Sequence, residues 1–142
     1  VTRGRLGAIS VIVIAVAAAT YLRDPPWLLQ VTSGVGRWQA GSEGRFRWTG
    51  GRASFFVPAR AARIRLRLRS PHALEAPSVV RIDVDDRPAA LVALRDTAWT
   101  EATVPLGEPA RTGRRAVRVD LHVDRTWGAL SRGVQLGEVV IE

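Results

Sequence analysis

The chain contains no cysteine and no methionine. Disulfides and thiolate metal sites are therefore excluded, and Val1 is not an ordinary initiator. Lysine is absent as well, so all 21 basic residues are arginine and the formal net charge is +8. An arginine bias beside abundant Ala, Gly and Val is the imprint of a GC-rich genome. It also carries chemistry, because a guanidinium grips carboxylates and phosphates through two parallel donors and an ammonium does not. Histidine occurs twice, as His72 and His122. Neither lies in the apolar N-terminal stretch, so that stretch offers no imidazole to haem or chlorophyll. No phosphate loop, Ser–His–Asp arrangement or catalytic glutamate pair is readable. No enzyme activity, cofactor or metal is expected.

What is present begins with Leu6 to Leu22, LGAISVIVIAVAAATYL, which no charge interrupts. As a helix it spans about 25 Å, the short end of a bilayer crossing. Gly7, Ser10, Ala15, Ala18 and Ala19 keep its faces slim enough for another membrane helix to approach closely. Tyr21 and Trp27 stand where an interfacial aromatic belt belongs. Arg3 and Arg5 precede the span, whereas Arg23 behind it is offset by Asp24, which predicts a cytoplasmic N-terminus. A basic start, an apolar centre and Ala17-Ala18-Ala19 also satisfy a cleavable signal peptide; the retained anchor is the expectation pursued. Asp24-Pro25-Pro26 ends the helix and stiffens the exit. The expected layout is residues 1–24 as cytoplasmic terminus and single-pass helix in a bacterial inner membrane, 25–35 as a stalk, and 36–142 as a periplasmic domain.

Beyond the stalk the pattern is that of strands. Residues Arg63 to Arg69, RIRLRLR, alternate charged and apolar side chains strictly, the mark of a half-buried strand. Val80–Asp85 and Val117–Asp124 repeat the pattern. Weaker strands are expected at Gly44–Thr49, Arg52–Pro58, Ala89–Leu94, Ala98–Leu106 and Gly133–Ile141. Turns are expected at Thr49-Gly50-Gly51, Ser70-Pro71, Asp85-Asp86-Arg87-Pro88, Gly107-Glu108-Pro109 and Thr112-Gly113, and at Gly34-Val35-Gly36. The fold class is all-β: an antiparallel two-sheet sandwich, jelly-roll-like, of about eight strands behind one N-terminal transmembrane helix. Ile64, Leu66, Leu68, Val80, Ile82, Val119 and Leu121 are its expected core.

The order Arg47-Trp48-Thr49-Gly50, Ala53 to Pro58, Leu66-Arg67-Leu68, Val80 to Val84, Trp99 and a closing Gly133-Val134-Gln135-Leu136-Gly137 resembles the β-sandwich domains of bacterial envelope membrane proteins. Those modules are often appended to multi-spanning glycosyltransferases and are similar to carbohydrate-binding jelly rolls. The resemblance covers about residues 36–142. It implies a sandwich fold and a link to sugar, without assigning site residues.

Four side-chain groups bear on function. Arg63, Arg65, Arg67 and Arg69 share one strand face at about 7 Å spacing and want anionic partners: neighbouring acids, lipid head groups or another protein. Nucleic acid is not expected. Among five tryptophans, Trp48 and Trp99 sit within strand patterns and read as core. Trp38 and Trp127 sit in loop-like stretches and, with Trp27, read as interface residues. His122 between Asp120 and Asp124 reads as a solvated strand face, and His72 as an exposed turn residue. Asp83, Asp85 and Asp86 form a turn that lacks the fuller ligand pattern of a calcium loop. The expected function is a non-catalytic accessory subunit that packs its helix into, and docks its domain on, a larger membrane complex such as a photosynthetic or respiratory assembly. The alternative is a membrane-tethered carbohydrate-binding module acting on envelope glycans.

Overall fold

The computed structural model describes residues 2–107 and 113–142, with side chains from residue 7 onward. The expected turns at Gly107-Glu108-Pro109 and Thr112-Gly113 therefore lie largely outside the described residues. Helix α1 runs Thr2–Arg23. It is long and apolar enough to cross a membrane, and it buries none of its apolar window against the rest of the chain. Pro25 adopts extended geometry, and a short 3-10 turn follows at Pro26–Gln30. The Asp24 carboxylate accepts the backbone N–H of Arg115 at 2.7 Å, which ties the end of the helix to the domain.

The rest of the described chain is mainly strand: β1 (Thr32–Val35), β2 (Gln39–Gly41), β3 (Gly44–Pro58), β4 (Arg63–Arg69), β5 (Ser78–Val84), β6 (Arg87–Leu94), β7 (Thr100–Pro105), β8 (Ala116–Val123), β9 (Gln135–Leu136) and β10 (Val140–Ile141). The described residues form ten strands where about eight were expected. The sheet takes β1 from within the stretch read as a stalk, and Gly34-Val35-Gly36 begins inside that strand. The Thr49-Gly50-Gly51 turn does not form. Instead β3 runs straight through it, pairing with β2 and β9 before the glycines and with β8 after them. Close backbone approach here explains Gly133: a Cβ on it would lie 2.5 Å from the Gly50 carbonyl oxygen.

Because β3 is shared, the strands form one hydrogen-bonded path, β10-β4-β9-β3-β8-β5-β6, with β1 and β2 on β3 and β7 on β4. Every pairing is antiparallel. The sheet is nearly closed, since β6 and β7 come into contact at its far edge. Its two arms bury side chains in a single core. Ile64, Leu66, Leu68, Val80, Ile82, Val119 and Leu121 are each fully buried there, as the alternation predicts. At the β5–β6 hairpin, Asp85 and Asp86 both take positive φ, the conformation of a two-residue turn whose twist matches its strands.

Candidate functional site

Strand register decides which side chains share a face. Trp48 on β3 lies opposite Gln135 on β9, and Gln135 lies opposite Arg69 on β4. This row points away from the core, because the neighbouring Leu68 and Leu136 point into it. Trp48 is therefore not core but a half-buried member of the outer face. Trp99 is half-buried too, and packs against Phe46 with ring centroids 6.4 Å apart. Phe46 meets Trp48 edge-on at 6.4 Å. The guanidinium groups of Arg67 and Arg69 lie 5.1 and 5.8 Å from the Trp99 ring centre, within cation–π range.

At one end of this face two segments build a cleft of about 380 Å³, lined by Trp48, His72, Glu75, Trp127, Gly128, Ala129, Leu130 and Arg132. The first segment leaves β4 through a compact turn in which the Glu75 and Ala76 N–H groups bond to the His72 carbonyl. The second leaves β8 and is pinned at both ends. Asp124 exchanges two bonds with Val79, one through its backbone and one through its carboxylate at 2.8 Å. Trp127 and Arg132 close a small hairpin with two backbone bonds of 2.7 and 3.0 Å. The buried Thr49 hydroxyl bonds the Val134 backbone on both its N–H and C=O sides, at 3.0 and 3.1 Å. The cleft walls are thus held before any ligand arrives.

Within the cleft, His72 is not a free turn residue. Its ring stacks on Trp127 at 4.7 Å, and its Nδ1 lies 3.4 Å from the Glu75 carboxylate. The Arg132 guanidinium lies 5.3 Å from the Trp48 ring centre. The Trp127 Nε1 is buried and has no acceptor among the described residues. A second cleft of about 370 Å³, lined by Gly34, Gly36, Gln39 and Gly50 among others, shares Trp48, Leu130 and Arg132 with the first. Trp48 therefore stands between two adjoining depressions.

The other sequence candidates fall elsewhere. Trp38, 42% exposed, lies at a different edge with the Arg45 and Arg47 guanidinium groups each 4.8 Å from its ring centre. Arg47 is opposite the core residue Leu136, and burial lowers its pKa. Trp27 is exposed in the 3-10 turn. Gly7, Ser10, Ala15, Ala18 and Ala19 all lie on exposed stretches of α1. The arginine row is not open to a partner along its whole length. Arg63 and Arg65 bond the Glu142 carboxylate at 2.7 and 2.8 Å, and Arg65 and Arg67 each lie 3.9 Å from Glu101.

His122 and Asp120 also depart from a solvated face. Asp120 is 2% exposed and accepts bonds from the Ser54 hydroxyl and the Arg118 guanidinium. Burial pushes its pKa up, but those two donors outweigh burial and hold the carboxyl below the ordinary range. The His122 Nε2 lies 3.2 Å from Asp83. Asp85 and Asp86 instead face Arg114 and Arg118, so the aspartates around this turn are engaged by cations and do not converge on one point.

No family model and no curated protein matches the chain. Solved structures do. An exo-β-1,3-galactanase from Phanerochaete chrysosporium aligns over 79% of this chain at 13% identity with a TM-score of 0.49, and the chain spans 27% of that protein. The CBM36-1 domain of a multidomain xylanase from the hindgut metagenome of Trinervitermes trinervoides aligns over 79% of this chain and 89% of its own, at 11% identity and a TM-score of 0.45. The C-terminal CBM6 of a marine laminarinase from Zobellia galactanivorans covers 78% of this chain and 90% of its own, at 13% identity and a TM-score of 0.44. The likeness is one of overall β architecture.

Sequence reasoning placed Trp127 at an interface but missed the rest of the cleft. The available signal was the Phe46–Trp48 alternation with Arg45 and Arg47, which puts aromatics on one face and arginines on the other. Which face is the core depends on pairing with β9, some ninety residues later in the chain.

Proposed function

We propose that this chain is a membrane-tethered, non-catalytic glycan-binding module whose site is the cleft between Trp48 and Trp127. The observation that carries this reading is the cleft's make-up. Two half-exposed indoles, one with a buried N–H that has no acceptor among the described residues, flank a pinned opening that also holds His72, Glu75 and Arg132. Indole faces bury the C–H faces of sugar rings, while the polar groups orient hydroxyls. α1 anchors the domain with its N-terminus in the cytoplasm and the domain outside. The helix end is tied at Arg115, just before β8, whereas Trp127 follows the far end of the same strand. Eight residues of strand set the cleft roughly 25 Å from the helix exit, facing away from the bilayer.

The test uses the full chain in mild detergent. It is titrated with galacto-, xylo- and gluco-oligosaccharides and with trigalacturonate, and read by tryptophan fluorescence and calorimetry. At least one oligosaccharide binds, and Trp127→Ala lowers the affinity by about tenfold or more, a change of about 1.4 kcal/mol. If none of them binds and the native protein co-migrates with a larger membrane complex, the accessory-subunit reading replaces this one.

A further inference from the structure

We propose that the pole of the sheet from which α1 leaves is a binding surface for acidic phospholipid head groups, with Arg23, Arg60, Arg87 and Arg115 as its cations and Trp27 as its interfacial anchor; this rests on the membrane tether in the reading above and not on the sugar. Register brings these residues together from distant parts of the chain. Pro58 at the end of β3 lies opposite Ala116 at the start of β8. Val84 at the end of β5 lies opposite Val119 on β8 and Arg87 at the start of β6. These strand ends therefore share one pole. Arg60 stands in the turn after β3, where the Ala59 N–H bonds the Arg115 carbonyl at 2.9 Å. The Arg115 N–H in turn bonds the Asp24 carboxylate at 2.7 Å, so α1 leaves from the same pole. Trp27 and Leu29, in the 3-10 turn that follows, are exposed.

The acids at this pole are already engaged. The Asp85 carboxylate lies 3.8 Å from Arg114, and Asp86 bonds Arg118. Asp24 is held by the Arg115 backbone, and Glu142 by Arg63 and Arg65. The side chains of Arg23, Arg60, Arg87 and Arg115 are exposed and have no carboxylate partner among the described residues. These like charges repel one another and draw anions to the pole. With α1 in a bilayer, the anions at that level are lipid phosphates, which take a guanidinium through two parallel charge-assisted bonds. The tether holds the pole at the leaflet, so individually weak contacts need no separate encounter. An indole placed there sits at head-group level. An acidic protein partner would compete with that leaflet for the same arginines.

The full chain is reconstituted at physiological ionic strength into equimolar phosphatidylcholine–phosphatidylglycerol vesicles, in which one lipid or the other carries bromine high on its acyl chains. Quenching of tryptophan fluorescence reads which lipid lies against the pole, and its loss in Trp27→Phe assigns it to Trp27. Brominated phosphatidylglycerol is expected to quench more strongly, by a local enrichment of about fivefold or more. Arg60→Gln, Arg87→Gln and Arg115→Gln together reduce that preference severalfold. Arg52→Gln, Arg95→Gln and Arg125→Gln together remove the same charge from the far ends of β8 and β6 and leave it in place. If the first triple variant does not fold by circular dichroism, its three single substitutions each lower the preference. Equal quenching by the two lipids in the wild type overturns the proposal, leaves the anchoring of α1 intact and returns these arginines to an acidic protein partner. Quenching unchanged in Trp27→Phe overturns it too. So does equal loss in both triple variants, because the attraction is then that of the +8 charge as a whole. A chain that neither floats with the vesicles nor is quenched by either lipid overturns the membrane tether itself, and the proposal with it.

Discussion

Leu66 and Asp120 show how differently single side chains stabilise this fold. Leu66 is wholly buried on β4 among apolar neighbours. Leu66→Ala removes transfer free energy and leaves a cavity, so it costs about 2–5 kcal/mol in urea unfolding. A loss below about 0.5 kcal/mol, the size of an ordinary surface change, is incompatible with its place in the core. Asp120 is buried for the opposite reason. Its carboxylate is the acceptor that Ser54 and Arg118 converge on. Because its folded pKa is depressed, the stability it contributes is present above the unfolded carboxylate value of about 3.9. That stability is lost as pH falls through the folded value. Asp120→Asn is expected to cost about 1–3 kcal/mol at neutral pH. It also flattens the acid limb of the stability profile. A profile parallel to the wild type's from pH 7 downward shows that the charge at this position is not linked to folding.

At the scale of elements, β3 is the strand on which the fold turns, since it pairs with β1, β2, β8 and β9. Where β1 crosses it, Gly34 has φ +67 and a Cβ there would sit 1.9 Å from the Arg52 carbonyl oxygen. No small adjustment accommodates a methyl group at that distance. Gly34→Ala is therefore expected to displace β1 and to cost about 1–3 kcal/mol or more from backbone strain alone. Hydrogen exchange checks this: the amides of Thr32–Val35 lose protection while β4 and β8 keep theirs. Unchanged protection in β1 contradicts the geometry at Gly34. The hairpin between Trp127 and Arg132 is an element of the same kind for the site, because Thr49 and Asp124 hold its two ends. Thr49→Val leaves the buried Val134 N–H without its acceptor, although the Val134 carbonyl keeps the Thr49 N–H at 2.8 Å, and is expected to weaken oligosaccharide binding along with stability.

For the whole molecule the deciding question is orientation. α1 stands clear of the domain and exposes Ile9 through Leu22, while Asp24 fastens its end to Arg115. In the proposed anchoring, with α1 in a bilayer, the sheet lies next to the membrane and the cleft beyond the end of β8 away from the helix exit. Protease added to intact spheroplasts is expected to digest the domain. Survival of the domain until the membrane is opened reverses the orientation and puts the cleft in the cytoplasm, away from any envelope glycan. The arginine face is divided at this scale as well. The Arg63 end is neutralised by Glu142, whereas at the other end Arg69 lies over Trp99 with no carboxylate partner among the described residues.

By itself the sequence determined the apolar helix, the inward faces of β4, β5 and β8, and the absence of thiol chemistry. Each of these is local: an unbroken apolar run, a strict period of two, or a residue type never used. Leu66 points inward because its neighbours in the chain are arginines. Only the tertiary structure decided that Gly50-Gly51 continues a strand, that Trp48 and Trp99 face outward, and that His72, Trp127 and Arg132 meet. Phe46-Arg47-Trp48 alternates as well with either face buried, and only pairing with Gln135 and Leu136 settles which it is. The same holds for charge. Arg63 and Arg69 are indistinguishable along β4, and they differ because Glu142 reaches one and an indole the other. Period and composition are carried by neighbours in the chain. Register, burial of a polar atom and the pairing of a charge are properties of contacts between residues far apart in it, and so they exist only once the sheet has closed.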